Sequence, residues 1–146
     1  VARYERQRDP IRKIYIISGD SDFLQLVDDN LHVINPKGNT ALTPMPVQIK
    51  IGKRIVPISA EIYLATKILT GDKTDEIPSI YSGCGPAKAL ELAQNPYKFE
   101  ETVLSVPERR AIYERNKILI SFNEIPDTLR TQILARYHEC NTETTN

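Results

Sequence analysis

The chain has 146 residues, 40% hydrophobic and 26% charged, with 19 basic against 19 acidic side chains and only 6 Gly and 10 Pro. This suits one folded domain, or part of one, and excludes disordered, collagenous and low-complexity classes. No apolar run approaches the roughly 18 residues that cross a bilayer, and no signal-peptide core opens the chain, so an intracellular protein without a membrane partner is expected.

Residues 1–9 predict the end of a helix, stopped at Pro10, which cannot supply an interior helix hydrogen bond. Residues 13–18 (KIYIIS) form a continuous β-branched run that predicts a strand covered on both faces. A turn at residues 19–21 leads into a short helical segment carrying Phe23, Leu24 and Val27. Residues 31–35 (LHVIN) predict a second strand parallel to the first, ended by Pro36 and a turn at Lys37-Gly38-Asn39. Val47, Ile49 and Ile51 alternate with polar residues up to Gly52-Lys53, and residues 54–56 return, which predicts a hairpin.

The apolar period then changes from two to about 3.6. Ser59 is placed to cap a helix with Ile62, Ala65 and Leu69 on one face, ending at Gly71. Residues 87–94 predict a short helix, and Pro96 and Pro107 punctuate two further helical stretches. Ala111, Ile112, Ile118, Leu119 and Phe122 suggest one apolar stripe; Ile125, Leu129, Ile133 and Tyr137 recur every four residues in the last helix. From Glu139 the chain is polar and Thr-rich, which predicts fraying. The fold class expected is α/β: part of a mainly parallel sheet with helices over residues 1–71, an all-helical part over 72–140, and a disordered tail at 141–146.

Cys84, Cys140, His32 and His138 have neither metal-ligand nor disulfide spacing, which argues against zinc and Cys/His catalysis. Charge is arranged in blocks. A largely basic start is followed by Asp20, Asp22, Asp28 and Asp29, then by Lys37, Lys50, Lys53 and Arg54, then by Asp72, Asp75 and Glu76. Short acidic islands between basic segments suit an enzyme that handles a polyanion beside a cation site.

Three segments could carry chemistry. Gly19-Asp20-Ser21-Asp22 leaves the C-terminal end of a strand, where ligands bind in open α/β sheets, and carboxylates at i and i+2 suit a hard cation. The alternative is a turn whose Asp caps the next helix. In Gly71-Asp72-Lys73-Thr74-Asp75-Glu76, carboxylates at i and i+3 share a face if the turn continues helically, and their repulsion would be relieved by Mg²⁺; the alternative is a solvated helix cap. Residues 82–89 place a Gly83-Cys84-Gly85 turn directly before a helix carrying Ala87 and Lys88, which would expose backbone N–H groups to phosphate; an ordinary inter-helix turn is the alternative.

The order of these segments resembles the core of the 5′-nuclease superfamily, which comprises flap endonucleases, the 5′-nuclease domains of bacterial DNA polymerases and phage exonuclease/ribonuclease H enzymes. The resemblance is carried by residues 16–27 (IISGDSDFLQLV), 34–38 (INPKG), 67–78 (KILTGDKTDEIP) and 83–90. Glu61-Ile62, residues 66–69 and residues 116–126 (NKILISFNEIP) are similar in particular to the ribonuclease H of T-even phages. The resemblance implies a PIN-like nuclease fold, incomplete at its N-terminal side, with a helix–three-turn–helix element that holds duplex backbone.

It further implies that Asp20, Asp22, Asp72 and Asp75 ligate divalent metal, Mg²⁺ or Mn²⁺, in a two-metal site only partly encoded here. Gly83, Cys84, Gly85, Ala87 and Lys88 would contact nucleic acid, with a monovalent cation such as K⁺ at the hairpin. Glu76 stands where the family usually has Asn, Tyr81 and Ser82 where Pro and Gly are common, and Ala87 at the usual lysine, leaving Lys88 as the phosphate contact.

The implied activity is 5′-3′ exonuclease, flap endonuclease or RNase H-type primer removal on DNA or RNA–DNA duplex with a 5′ end or flap, in DNA replication and repair. The setting would be cytoplasm or nucleoid, or host cytoplasm for a phage protein. The family's first aspartate, further acids and basic helical arch precede the segment matched here, so the N-terminal half of the domain is expected in cis or in trans. Lys37, Lys50, Lys53 and Arg54 are further candidate phosphate contacts. Two other readings are a non-catalytic duplex-binding module and, from the Asp-x-Asp, a Mg²⁺-dependent phosphatase-like domain, though no later lysine matches the latter.

Overall fold

The computed structural model describes residues 1–37 and 46–142. Helix α1 (Ala2–Arg8) ends before Pro10, and β1 (Ile14–Ile17) follows. A 3₁₀ helix, Ser21–Leu26, connects to β2 (Leu31–Ile34), which lies parallel to β1 with Ile14 opposite Leu31 and Ile16 opposite Val33. Strands β3 (Val47–Ile51) and β4 (Arg54–Ile58) form the hairpin, turning at Gly52 with φ +60°. The hairpin is antiparallel and is a sheet of its own, so the described strands form one parallel pair and one hairpin rather than a single mainly parallel sheet.

Strand β1 is covered on one face only. Ile14 and Ile16 are partly buried, whereas Tyr15 is 50% and Ile17 71% exposed, with Tyr15 stacked on His32. An unbroken apolar run does not distinguish one covered face from two.

Helix α2 (Ala60–Thr70) starts where the Ser59 hydroxyl accepts from the Ile62 N–H and stops at Gly71, φ +71°. Helix α3 (Pro86–Gln94) has proline at its first position, and α4 (Pro96–Phe99) runs into a π-helical turn, Glu100–Leu104. Helix α5 (Pro107–Ile120) is followed by a 3₁₀ turn and by α6 (Asp127–Thr142).

One core cluster (Val27, Val33, Val47, Ile58, Leu90) lies where the strands meet α3. A second (Leu69, Ile80, Cys84, Ala89, Leu92, Val103) joins α2, α3 and the π turn, and a third (Ile68, Ile77, Ile120) ties α2 to the end of α5.

The buried face of α5 is Ile112, Tyr113, Asn116 and Ile120; Ala111, Ile118 and Leu119 are exposed, against the stripe expected. Asn116 decides the facing. Fully buried, its amide donates to Ile68 O (3.1 Å) and Pro78 O (2.8 Å), which turns Ile118 to the opposite side. Helix α6 keeps Leu129 and Ile133 exposed and contributes no fully buried residue among those described. It stays helical to Thr142, past the fraying expected from Glu139. Residues 143–146 and the expected turn at Gly38-Asn39 lie outside the described residues. Among the described residues no helix is long and apolar enough to cross a membrane.

Candidate functional site

As the chain leaves β1, the Asp20 carboxylate accepts from the Asp22 N–H (2.9 Å) and caps the 3₁₀ helix. Its local duty is therefore the capping role that short-range geometry predicts, and it is exposed. The 3₁₀ helix is held from below by buried Gln25, which donates to Ile120 O (3.1 Å) and accepts from the Phe122 N–H (2.9 Å). That anchorage fixes where Asp22 points.

Residues 71–77 do not continue α2. Asp72 and Ile77 exchange backbone hydrogen bonds (2.8 and 2.7 Å) as an antiparallel bridge, and Glu76 takes φ +58°. The helical i, i+3 geometry expected for Asp72 and Asp75 is thus replaced by a bridged turn, because Gly71 redirects the backbone and the bridge closes it. Within it Asp72 accepts from the Thr74 N–H (2.8 Å).

Asp22 and Asp72 meet at Lys67 on the last turn of α2. The Lys67 ammonium contacts the Asp22 carboxylate and lies 3.0 Å from Asp72 Oδ2. The three side chains are only 12% (Lys67), 22% (Asp22) and 19% (Asp72) exposed, so they interact in a partly dried environment. The Lys67 hydrogen bond holds the Asp72 carboxyl below the usual aspartate range, against the opposing effect of burial.

The Tyr63 hydroxyl donates to Ser21 O (3.0 Å), and burial raises its pKa, with Asp20 and Asp72 both adding to the rise. Asp75 is exposed; its backbone N–H faces the Asp72 carboxylate. Among the described residues no three His, Cys, Asp or Glu side chains are grouped closely enough to hold a metal ion. Two of the four candidate aspartates therefore converge on one cationic group, and Asp20 and Asp75 lie outside that contact.

The donor chemistry fits a hard divalent ion. Two carboxylates facing one positive charge are what Mg²⁺ uses when water and phosphate supply its remaining ligands. Lys67 and Tyr63 were not singled out in the sequence; the available signal was a lysine in the last turn before the glycine stop, where a cation is favoured. Beside Asp72 opens a cleft of about 380 Å³ lined by Lys50, Thr66, Lys67, Thr70 and Thr74, and the buried Thr66 hydroxyl has no hydrogen-bond partner. A second cavity, of about 930 Å³, lies elsewhere among the described residues, between α1, β1 and α6, and none of the candidate residues lines it.

In the third candidate segment, Gly83 takes φ +88° and Gly85 caps α3. The N–H groups of Cys84 and Gly85 bond to Tyr81 O (3.1 Å) and Gly83 O (2.9 Å) inside the turn. The first-turn N–H groups of Ala87 and Lys88 are left for an external acceptor, since helix geometry gives them none and Pro86 has no N–H. The Cys84 side chain is core, and burial raises its thiol pKa. Lys88 Nζ pairs with Glu91 Oε2 at 2.9 Å, and Glu91 also pairs with Lys98.

No family model matches the chain. Among curated proteins it is 39% identical over 92 residues to the 5′-3′ exonuclease of Aquifex aeolicus, covering 63% of this chain and 29% of that protein. It is 31% identical over 141 residues to the ribonuclease H of enterobacteria phage T4, covering 86% and 42%. It is 38% identical over 80 residues to the thermostable DNA polymerase I of Thermus filiformis, covering 55% and 9%. The chain spans less than half the length of each of these relatives. These similarities, across exonuclease, polymerase and ribonuclease H relatives alike, place the chain in the 5′-nuclease superfamily.

Proposed function

We propose that the chain forms part of a metal-dependent 5′-nuclease, a phosphodiester hydrolase acting at 5′ ends or flaps of DNA or RNA–DNA duplex. The observation that carries this is the convergence of Asp22 and Asp72 on a single cationic point. Asp22 and Asp72 would hold Mg²⁺ or Mn²⁺, with Asp20 and Asp75 as further ligands. When bound, paired divalent ions lower the pKa of the attacking water and stabilise charge on the in-line transition state. The chain's own part is to fix the carboxylates: the bridged turn orients Asp72, and Gln25 anchors the helix that carries Asp22.

The turn before α3, with the free first-turn N–H groups of Ala87 and Lys88, is read as the duplex-backbone contact of a helix–three-turn–helix element, where K⁺ would also sit. Full activity is proposed to need the residues of the longer relatives that this chain does not span, in cis or in trans. The name of the phage T4 relative supports RNA–DNA duplex as one substrate.

A second reading, a non-catalytic duplex-binding module, is favoured by one fact: the Lys67 ammonium already pairs with both acids. Thermal melting separates the two. Under the hydrolase reading, millimolar Mg²⁺ raises the melting temperature, and Asp22→Asn combined with Asp72→Asn abolishes the gain. A wild-type curve unmoved by Mg²⁺ overturns it in favour of the binding module.

A further inference from the structure

The point where Asp22 and Asp72 converge is taken by an ammonium group. That group belongs to a helix residue whose backbone cannot drift away, so its local concentration at the carboxylates is high whatever the solution contains. An ammonium and a metal ion cannot share the position. Both are cations, and both need the same carboxylate lone pairs.

We propose that Lys67 is an internal competitor for the divalent cation: its ammonium holds Asp22 and Asp72 together while metal is absent and must leave when an ion binds between them. The inference rests on the metal-site reading given above. It makes Lys67 a specificity-determining residue. A monovalent ion brings no more charge than the tethered ammonium and gains nothing by replacing it, whereas a divalent ion doubles the attraction to both carboxylates.

The displaced side chain has space beside it. Lys67 lines the cleft of about 380 Å³ together with Thr66 and Thr70, and the buried, unpartnered Thr66 hydroxyl offers an acceptor at that cleft.

Isothermal titration of Mn²⁺ into the wild-type chain, Lys67→Gln and Lys67→Arg tests this, with a thermal melt of each to establish folding. Lys67→Gln is expected to bind Mn²⁺ on the order of tenfold more tightly than wild type, a typical size for coupling between two ligands, and Lys67→Arg no more tightly than wild type. A purely structural lysine would give the opposite result, weaker binding in Lys67→Gln.

Equal or weaker binding by Lys67→Gln overturns the competitor role and leaves the metal site standing; absence of Mn²⁺ binding in all three proteins overturns both. A measurement on the wild-type chain serves if Lys67→Gln fails to fold. The ¹⁵N signal of Lys67 Nζ should shift as Mg²⁺ saturates the site, and a signal unmoved at saturation refutes displacement.

Discussion

Lys88, the side chain proposed to meet phosphate, already has a partner. Glu91 accepts from Lys98 and from Lys88, and these two hydrogen bonds, Lys98 first, draw its carboxyl down from 4.5 to about 2. A carboxyl whose pKa is lowered by folding contributes stability that is present above the ordinary glutamate range and is lost as pH falls through the lowered value. Since the group is exposed, the contribution is small and salt-screened. A carbon-13 titration of the Glu91 carboxyl at low salt is expected to show a midpoint near 2, moving up toward 4.5 in Lys98→Ala. A midpoint indifferent to Lys98 would contradict the pairing. On the proposed reading, phosphate would have to compete with Glu91 for Lys88, and duplex contact at α3 would depend on how readily that pair opens.

At the scale of elements, the junction between α2 and the bridged turn places Asp72. Gly71 has φ +71°, and a Cβ there would overlap the carbonyls of Ile77 and Pro78. Neither atom is a flexible side-chain end, so the turn itself would have to move. Gly71→Ala is expected to destabilise the chain by at least about 3 kcal/mol in urea unfolding, through steric overlap and a backbone conformation that L side chains avoid. A loss below about 1 kcal/mol would mean that the bridge between Asp72 and Ile77 is not maintained in solution. The helix stop at Gly71 was readable in sequence because a glycine after a helical stripe has a local cause. The bridge was not, since it depends on Ile77 returning to pair with Asp72.

Across the whole molecule, stability is unevenly distributed. The amide of Asn116 joins α5 to the end of α2 and to the segment after the bridged turn, the three parts that frame Asp72. Asn116→Ala strands two carbonyls in the interior and is expected to cost about 2–4 kcal/mol by chemical denaturation. Helix α6, by contrast, buries no residue completely among those described. A chain ended after Pro126 should lose less stability than Asn116→Ala does; a larger loss would place α6 within the cooperative core.

The strand–turn–helix opening, the hairpin, the Ser59 cap and the Gly71 stop were all legible from residue order, because each is set by neighbours within a few positions. Asp20 and Asp22, Asp72 and Asp75 were also recognisable as two acidic groups. Which of them meet was not: Asp22 and Asp72 converge through Lys67, while Asp20 serves as a cap. Which face of α5 turns inward and which side of β1 stays open were equally beyond reach, since runs such as Ile118 to Ile120 and Ile14 to Ile17 are apolar on every side. Packing chose among those sides by where Asn116 found its two carbonyls and by which strand face met the core, and such long-range contacts leave no periodic trace in a linear chain.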